Sequence, residues 1–180
     1  VNPYAQKELE PPATPLKRGD TGPKVKRVQE WLCLHGHHTA VDGVFGPATD
    51  AAVRAFQRHT VEEDVVGREE WITNAADERT WWFLTEPMRR AVEWRPHGAR
   101  GNLNVVDCAH GHLHANPHEV GGPNMGPWVR LYMDGREGPE YPWCAGFATY
   151  VLSQAFGHDK WRTFSCDDLA ARAQESALFL

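Results

Sequence analysis

The stretch EYPWCAGFATYVLSQAF, residues 140–156, places one cysteine, Cys144, behind a proline and a tryptophan at the start of an amphipathic helical pattern. Cysteine attacks a carbonyl as its thiolate, and a free thiol with a pKa of about 8.5 is mostly protonated at neutral pH. A helix N-terminus meets that need, because its unpaired N–H groups and the positive end of the macrodipole favour a thiolate. The same groups can hold the oxyanion of an acyl intermediate. The small Ala145 and Gly146 leave room for a scissile amide to approach. Such a nucleophile also needs an imidazole within about 3 Å, oriented by a polar third residue. After Cys144 the chain holds a single histidine, His158. On a continuous helix, at about 1.5 Å per residue, His158 would lie on the order of 20 Å from the sulfur.

A second group of chemically capable residues is CAHGHLHANPH, which gathers Cys108, His110, His112, His114 and His118. An upstream imidazole, such as His118 beside the GGPN turn, is one candidate partner for Cys144. The cluster, with His35, His37 and His38, is alternatively a metal site, since His110 and His114 share a helix face at i, i+4 spacing. HExxH is missing and no acidic base stands between the two, so zinc chemistry ranks last and neither a metal nor another cofactor is expected. Cys33, Cys108 and Cys166 lack the context of Cys144 and read as packing residues. No CxxC pair occurs, and the four cysteines fit two disulfides or four free thiols equally well.

These residues must be positioned by folded elements, and the 180-residue chain can supply them. It is 41% hydrophobic with eight Trp, enough to build a core in one medium or two small domains. A net charge of −5 argues against a nucleic-acid partner held by phosphate contacts. Lys17, Arg18, Lys24, Lys26 and Arg27 read as a solvated helix face. No apolar run approaches the roughly 20 residues of a membrane span, and VNPYAQKELEPPATP has no apolar segment of secretory type.

Along the chain, residues 1–15 carry four prolines and read as an extended leader or linker. Val25, Val28, Trp31, Leu32 and Leu34 fall at helical spacing, predicting a helix over 23–35. PATDAAVRAFQRH predicts a second helix with Pro47 in its first turn, and VEEDVVGREE a solvated loop. ADERTWWFLTEPMRRAVEW predicts a third helix, interrupted at Pro87. Residues 87–101 read as a hinge. Short helices are expected beyond it, with no strand visible.

GDTGPKVKRVQEWLCLHG…VDGVFGPATDAAVRAFQ resembles the peptidoglycan-binding type 1 family. Gly19, Gly22, Val25, Val28, Gln29, Leu32, Gly36, Asp42, Gly43, Phe45, Gly46, Thr49, Ala52, Val53, Phe56 and Gln57 carry the likeness. It implies a three-helix module over 16–86, with an acidic insertion from Thr60 to Ala76 as a departure. Its expected ligand is peptidoglycan, touched by Asp42, Gly43, Phe45, Gly46 and Trp31, with Trp71 and Trp82 as further aromatic candidates. Gly122, Asn124, Gly126-Pro127, Pro142-Trp143-Cys144-Ala145 and Phe147 are similar to the CHAP group of NlpC-type, papain-like amidohydrolases. That likeness covers 102–180 and implies Cys144 as the nucleophile of an amidase or endopeptidase. Its base would lie on a downstream strand, so the chain is expected to stop inside an α+β catalytic domain and to be mainly α as given. The resulting expectation is a monomeric wall hydrolase, secreted or phage-encoded, with a non-catalytic wall-targeting protein and a zinc peptidase as alternatives.

Overall fold

The structure, a computed structural model, describes residues 2–63, 72–96 and 101–175. Trp71 and most of the acidic stretch after Glu63 lie outside the described residues, as do residues 97–100 of the expected hinge. The described residues form nine helices with only isolated bridges of extended pairing. None is long and apolar enough to cross a membrane. The chain divides into two compact units, one built on Gln6–Glu86, the other on Pro87–Leu180 together with Asn2–Ala5.

Helix α1, Pro3–Leu9, occupies the stretch expected to be an extended leader. Its cause is local: the Asn2 side chain accepts from the Tyr4 and Ala5 N–H groups, and Pro3 sits where a missing N–H costs nothing.

In the first unit α2 is Pro23–Leu34, α3 Pro47–Glu63 and α4 Glu78–Leu84, and α2 packs on both others. Val25, Val28, Trp31 and Leu32 on α2 and Val53 and Phe56 on α3 are buried as the spacing predicts, and Trp81 and Leu84 on α4 are buried with them. Helix α3 runs through Glu63, so the start of the acidic stretch is helical rather than loop. Asp77 caps α4 by accepting from the Thr80 N–H at 2.8 Å.

Helix α5, Glu86–Glu93, fills the first half of the expected hinge and buries Met88 and Ala91. The second unit continues with α6 Gly101–His114, α7 Pro127–Tyr132, α8 Cys144–Phe156 and α9 Cys166–Glu175. Helix α8 is its centre, packing on α6, α7 and α9. Every residue of α7 is buried. A Cβ on Gly146 would stand 2.7 Å from the Tyr132 carbonyl oxygen and 2.5 Å from the Met133 sulfur. Gly146 and the buried Ala145 therefore serve close packing of α8 on the end of α7, not the approach of a substrate.

Candidate functional site

The first unit is organised around two buried glutamines. Gln29 on α2 donates from Nε2 to Asp42 Oδ1 at 2.9 Å, to the Val44 carbonyl at 3.0 Å and to Thr49 Oγ1 at 3.0 Å. Its Oε1 accepts the Gly43 N–H at 2.8 Å. One amide thus satisfies the loop joining α2 to α3, where Gly43 has φ of 74° and a Cβ would crowd the Gly22 carbonyl at 3.2 Å. Asp42 closes the turn by accepting from the Val44 N–H at 2.9 Å, a bond that, with Gln29, lowers its carboxyl pKa. Gln57 on α3 repeats the device. It donates to Thr73 Oγ1, the Ala75 carbonyl and Thr80 Oγ1, and accepts from the Thr73 N–H.

This geometry corrects the expected ligand contacts. Trp31 and Phe45 are each only 1% exposed, so their faces belong to the core and cannot stack on a wall polymer. Gly43 is buried as well, while Asp42 is exposed with Oδ1 committed to the loop. The surface that is open lies elsewhere. Pro12, Ala13, Pro15, Asp77, Glu78, Arg79 and Trp82 line an open cleft of about 570 Å³. Trp82 is half-exposed there. Of this lining only Trp82 was singled out from the sequence; the others come from two distant segments, and proline-rich composition carries no hint of the α4 face beside it.

In the second unit, Cys144 is exposed at the first position of α8, where Trp143 precedes it. Trp143 is held from two sides: its indole N–H donates to Glu119 at 2.9 Å, and its ring stacks on Tyr132 at 5.5 Å. The indole N–H is also the main cause of a lowered Glu119 pKa. The start of α7 just after the GGPN turn is held independently of the sulfur, since Glu137 accepts from the Gly126 N–H and pairs with Arg130 at 2.6 Å. Asn124, with φ of 51°, donates to the Pro139 carbonyl.

The imidazoles of the described residues in this unit go elsewhere. Helix α8 is continuous to Phe156, so His158 follows its far end and stacks on Phe156. His118 bonds locally to the Asn116 carbonyl. His112 is fully buried, with Nδ1 2.9 Å from the Tyr132 hydroxyl and Nε2 2.9 Å from Gln154 Oε1. The Gln154 amide nitrogen faces the carbonyls of Ala91, Val92 and Trp94, so its oxygen must face His112. That orientation puts the proton on Nε2 and leaves Nδ1 to accept from Tyr132. Both nitrogens are spent, and burial lowers the His112 pKa, so the ring is a neutral structural group. His110 and His114 are exposed on α6, and the described residues contain no group of three or more His, Cys, Asp or Glu arranged to hold a metal.

What Cys144 does meet is Cys166. The two sulfurs are 3.4 Å apart, both residues exposed. This corrects the reading of Cys166 as a packing residue; its 22-residue separation from Cys144 gives no local signal of the pairing. Cys108 is the packing cysteine, buried with Val151 and Ala155, its thiol pKa pushed up to about 12 by burial. Cys33 is half-buried and donates to the Thr39 carbonyl.

No curated protein and no solved structure matches the chain. Over residues 21–60, which hold α2, the Gln29-bound loop and most of α3, the chain matches the model of a family described as a putative peptidoglycan binding domain, and this supports association with the cell wall.

Proposed function

We propose that this chain binds peptidoglycan through its first unit and carries, in its second, an incomplete cysteine amidohydrolase centre whose nucleophile is Cys144, with His112, His118 and His158 all engaged elsewhere. The family match at residues 21–60 is the observation that carries the binding half. The cleft beside Trp82 is the wall-polymer surface in this reading, because an exposed indole face flanked by prolines and by polar Asp77, Glu78 and Arg79 suits an uncharged sugar or a stem peptide. Sedimentation of the full chain with insoluble peptidoglycan tests it. Trp82→Ala is expected to weaken retention roughly 5- to 30-fold, the size of about 1–2 kcal/mol of aromatic contact. Because Trp82 is half-exposed, the melting temperature should hardly change. Retention unaltered in Trp82→Ala would move the ligand off the cleft.

The hydrolytic half is supported by an exposed thiol at the first position of a helix, with Trp143 anchored beside it. In its reaction the Cys144 sulfur bonds to the carbonyl carbon of a wall amide, the C–N bond breaks and the departing amine takes up the thiol proton; water then cleaves the thioester to a carboxylic acid and the free thiol. A second reading, a wall-targeting protein without catalysis, draws on the placement of His112, His118 and His158, each engaged away from Cys144. Clearing in a peptidoglycan zymogram that disappears in Cys144→Ala favours the first. Absence of clearing by the reduced chain, with wall binding intact, favours the second.

A further inference from the structure

We propose that Cys144 and Cys166 form a thiol–disulfide switch, closed to an intrachain bridge by a small-molecule disulfide and reopened by thiols. The two sulfurs stand 3.4 Å apart at the N-termini of different helices, α8 and α9, and both are exposed to such a reagent. Their approach is built by buried anchors. Thr149, fully buried on α8, donates its hydroxyl to the Ala145 carbonyl at 2.8 Å and stands 2.8 Å from the Thr163 carbonyl, clamping the returning chain onto the helix. Arg162 donates to the carbonyls of Gly146 at 2.7 Å and Tyr132 at 2.6 Å, and pairs with Asp134 at 2.6 Å. Its guanidinium also lies over the Phe164 ring. Residues 162–165 are thereby held against α7 and α8, and Cys166 follows directly.

The pair is chemically set apart from the other two cysteines. Exchange needs an accessible sulfur, which buried Cys108 does not offer, and the half-buried Cys33 thiol is turned to a backbone carbonyl. The Cys144 sulfur beside it pushes the Cys166 thiol pKa up, and the Ala145 N–H in the first turn of α8 acts in the opposite direction. Bond formation needs the sulfurs to close from 3.4 Å to about 2 Å.

The balance is that of thiol–disulfide exchange with glutathione disulfide as the two-electron oxidant. The Cys144 thiolate attacks one sulfur of glutathione disulfide, forming a mixed disulfide and expelling one glutathione thiolate. The Cys166 thiolate then attacks the Cys144 sulfur and expels the second. Two protein thiols are oxidised, two protons are released to solvent and the thiolates leaving take them up. The bridged form has no free Cys144 thiol, so it is latent where the reading of Cys144 as nucleophile holds; the pairing itself does not depend on that reading.

The full chain, reduced and then incubated with glutathione disulfide, is followed by intact mass and peptide mapping. The expected product has lost two hydrogens, carries one bridge joining the Cys144 and Cys166 peptides, and returns to the starting mass with dithiothreitol. Cys144→Ser and Cys166→Ser should each stop at a single glutathione adduct on the cysteine that remains of the pair. Separate stable adducts on both residues of the unaltered chain, a bridge to Cys33 or Cys108, or no modification would overturn the switch. A zymogram on the same two redox states separates this from the hydrolytic reading: a bridge with no clearing in either state removes the nucleophile and keeps the switch, whereas clearing without a bridge does the reverse.

Discussion

Gln29 and Gln57 occupy equivalent places in two successive helix–loop–helix joints, each accepting one backbone N–H and donating to a backbone carbonyl and to a threonine on the next helix. Both are fully buried, so neither amide can exchange its partners for water. Gln29→Leu fills a similar volume but strands the Gly43 N–H and removes a bond each from Thr49 and Asp42. A buried group left unpaired costs about 1–3 kcal/mol, so the variant should lose roughly 3 kcal/mol in urea unfolding. A loss below about 0.5 kcal/mol, the size of an ordinary surface change, would mean that the loop holds its shape without the amide. At His112 the same logic predicts a pH dependence. Burial lowers its pKa from the ordinary value of about 6.5, so the unfolded chain binds a proton that the folded one excludes. Its contribution to stability is complete above pH of about 6.5 and is lost as pH falls below it toward the folded pKa. His37, half-buried and surrounded by His59, His35 and His38, acts in the same direction in the other unit. The slope of melting temperature between about pH 7 and 5.5 should therefore shrink in His112→Gln without vanishing. An unchanged slope would place the titration elsewhere.

Among the elements, α8 depends on a missing side chain. Gly146 lies against the last carbonyl of α7 with no room for a methyl group, and the neighbour it meets is backbone as well as the flexible Met133. Gly146→Ala, favourable on helix propensity by up to about 1 kcal/mol, is expected to destabilise by roughly 1–3 kcal/mol through overpacking. The sign of the change is the test: a stabilised variant would show that α7 and α8 can separate freely. Closing the Cys144–Cys166 bridge should act oppositely, adding about 3 kcal/mol for a loop of this length. How legible these elements were follows from how local their causes are. Helix α2 is written in Val25, Val28, Trp31 and Leu32, and its inner face is as the spacing says. The loop at 42–46 is announced by its glycines. Helix α1 was masked by proline-rich composition, although Asn2 before Pro3 is a helix-start signal in its own right. The same spacing placed Trp31 on the inner face, against its assignment to the ligand, whereas Phe45 lies in a loop where periodicity says nothing of burial. The thiol pair was beyond local reading altogether, because Thr149, Arg162 and Asp134 assemble it from three segments.

For the molecule as a whole, two compact units with separate buried cores imply two separable readouts. Gln29→Leu should abolish retention on peptidoglycan at temperatures where the first unit melts, yet leave the rate of Cys144–Cys166 bridging as it is in the unaltered chain. Cys166→Ser should prevent the bridge and leave retention intact. Cross-effects in both directions would show one cooperative body instead. Charge bears on the same experiment. A chain of net charge −5 has no surplus of cations with which to seek an anionic polymer, so if the Trp82 cleft is the wall surface, its hold is expected to rest on stacking, apolar contact and hydrogen bonds. Raising salt from about 0.1 to 1 M shortens the screening length from about 10 to 3 Å and erodes only the charge-driven part of binding. Retention should therefore stay constant or rise slightly across that range, as residual repulsion is screened. A log-linear fall with salt would point to a cationic contact, and would shift attention from the Trp82 cleft to the lysines and arginines at the start of α2.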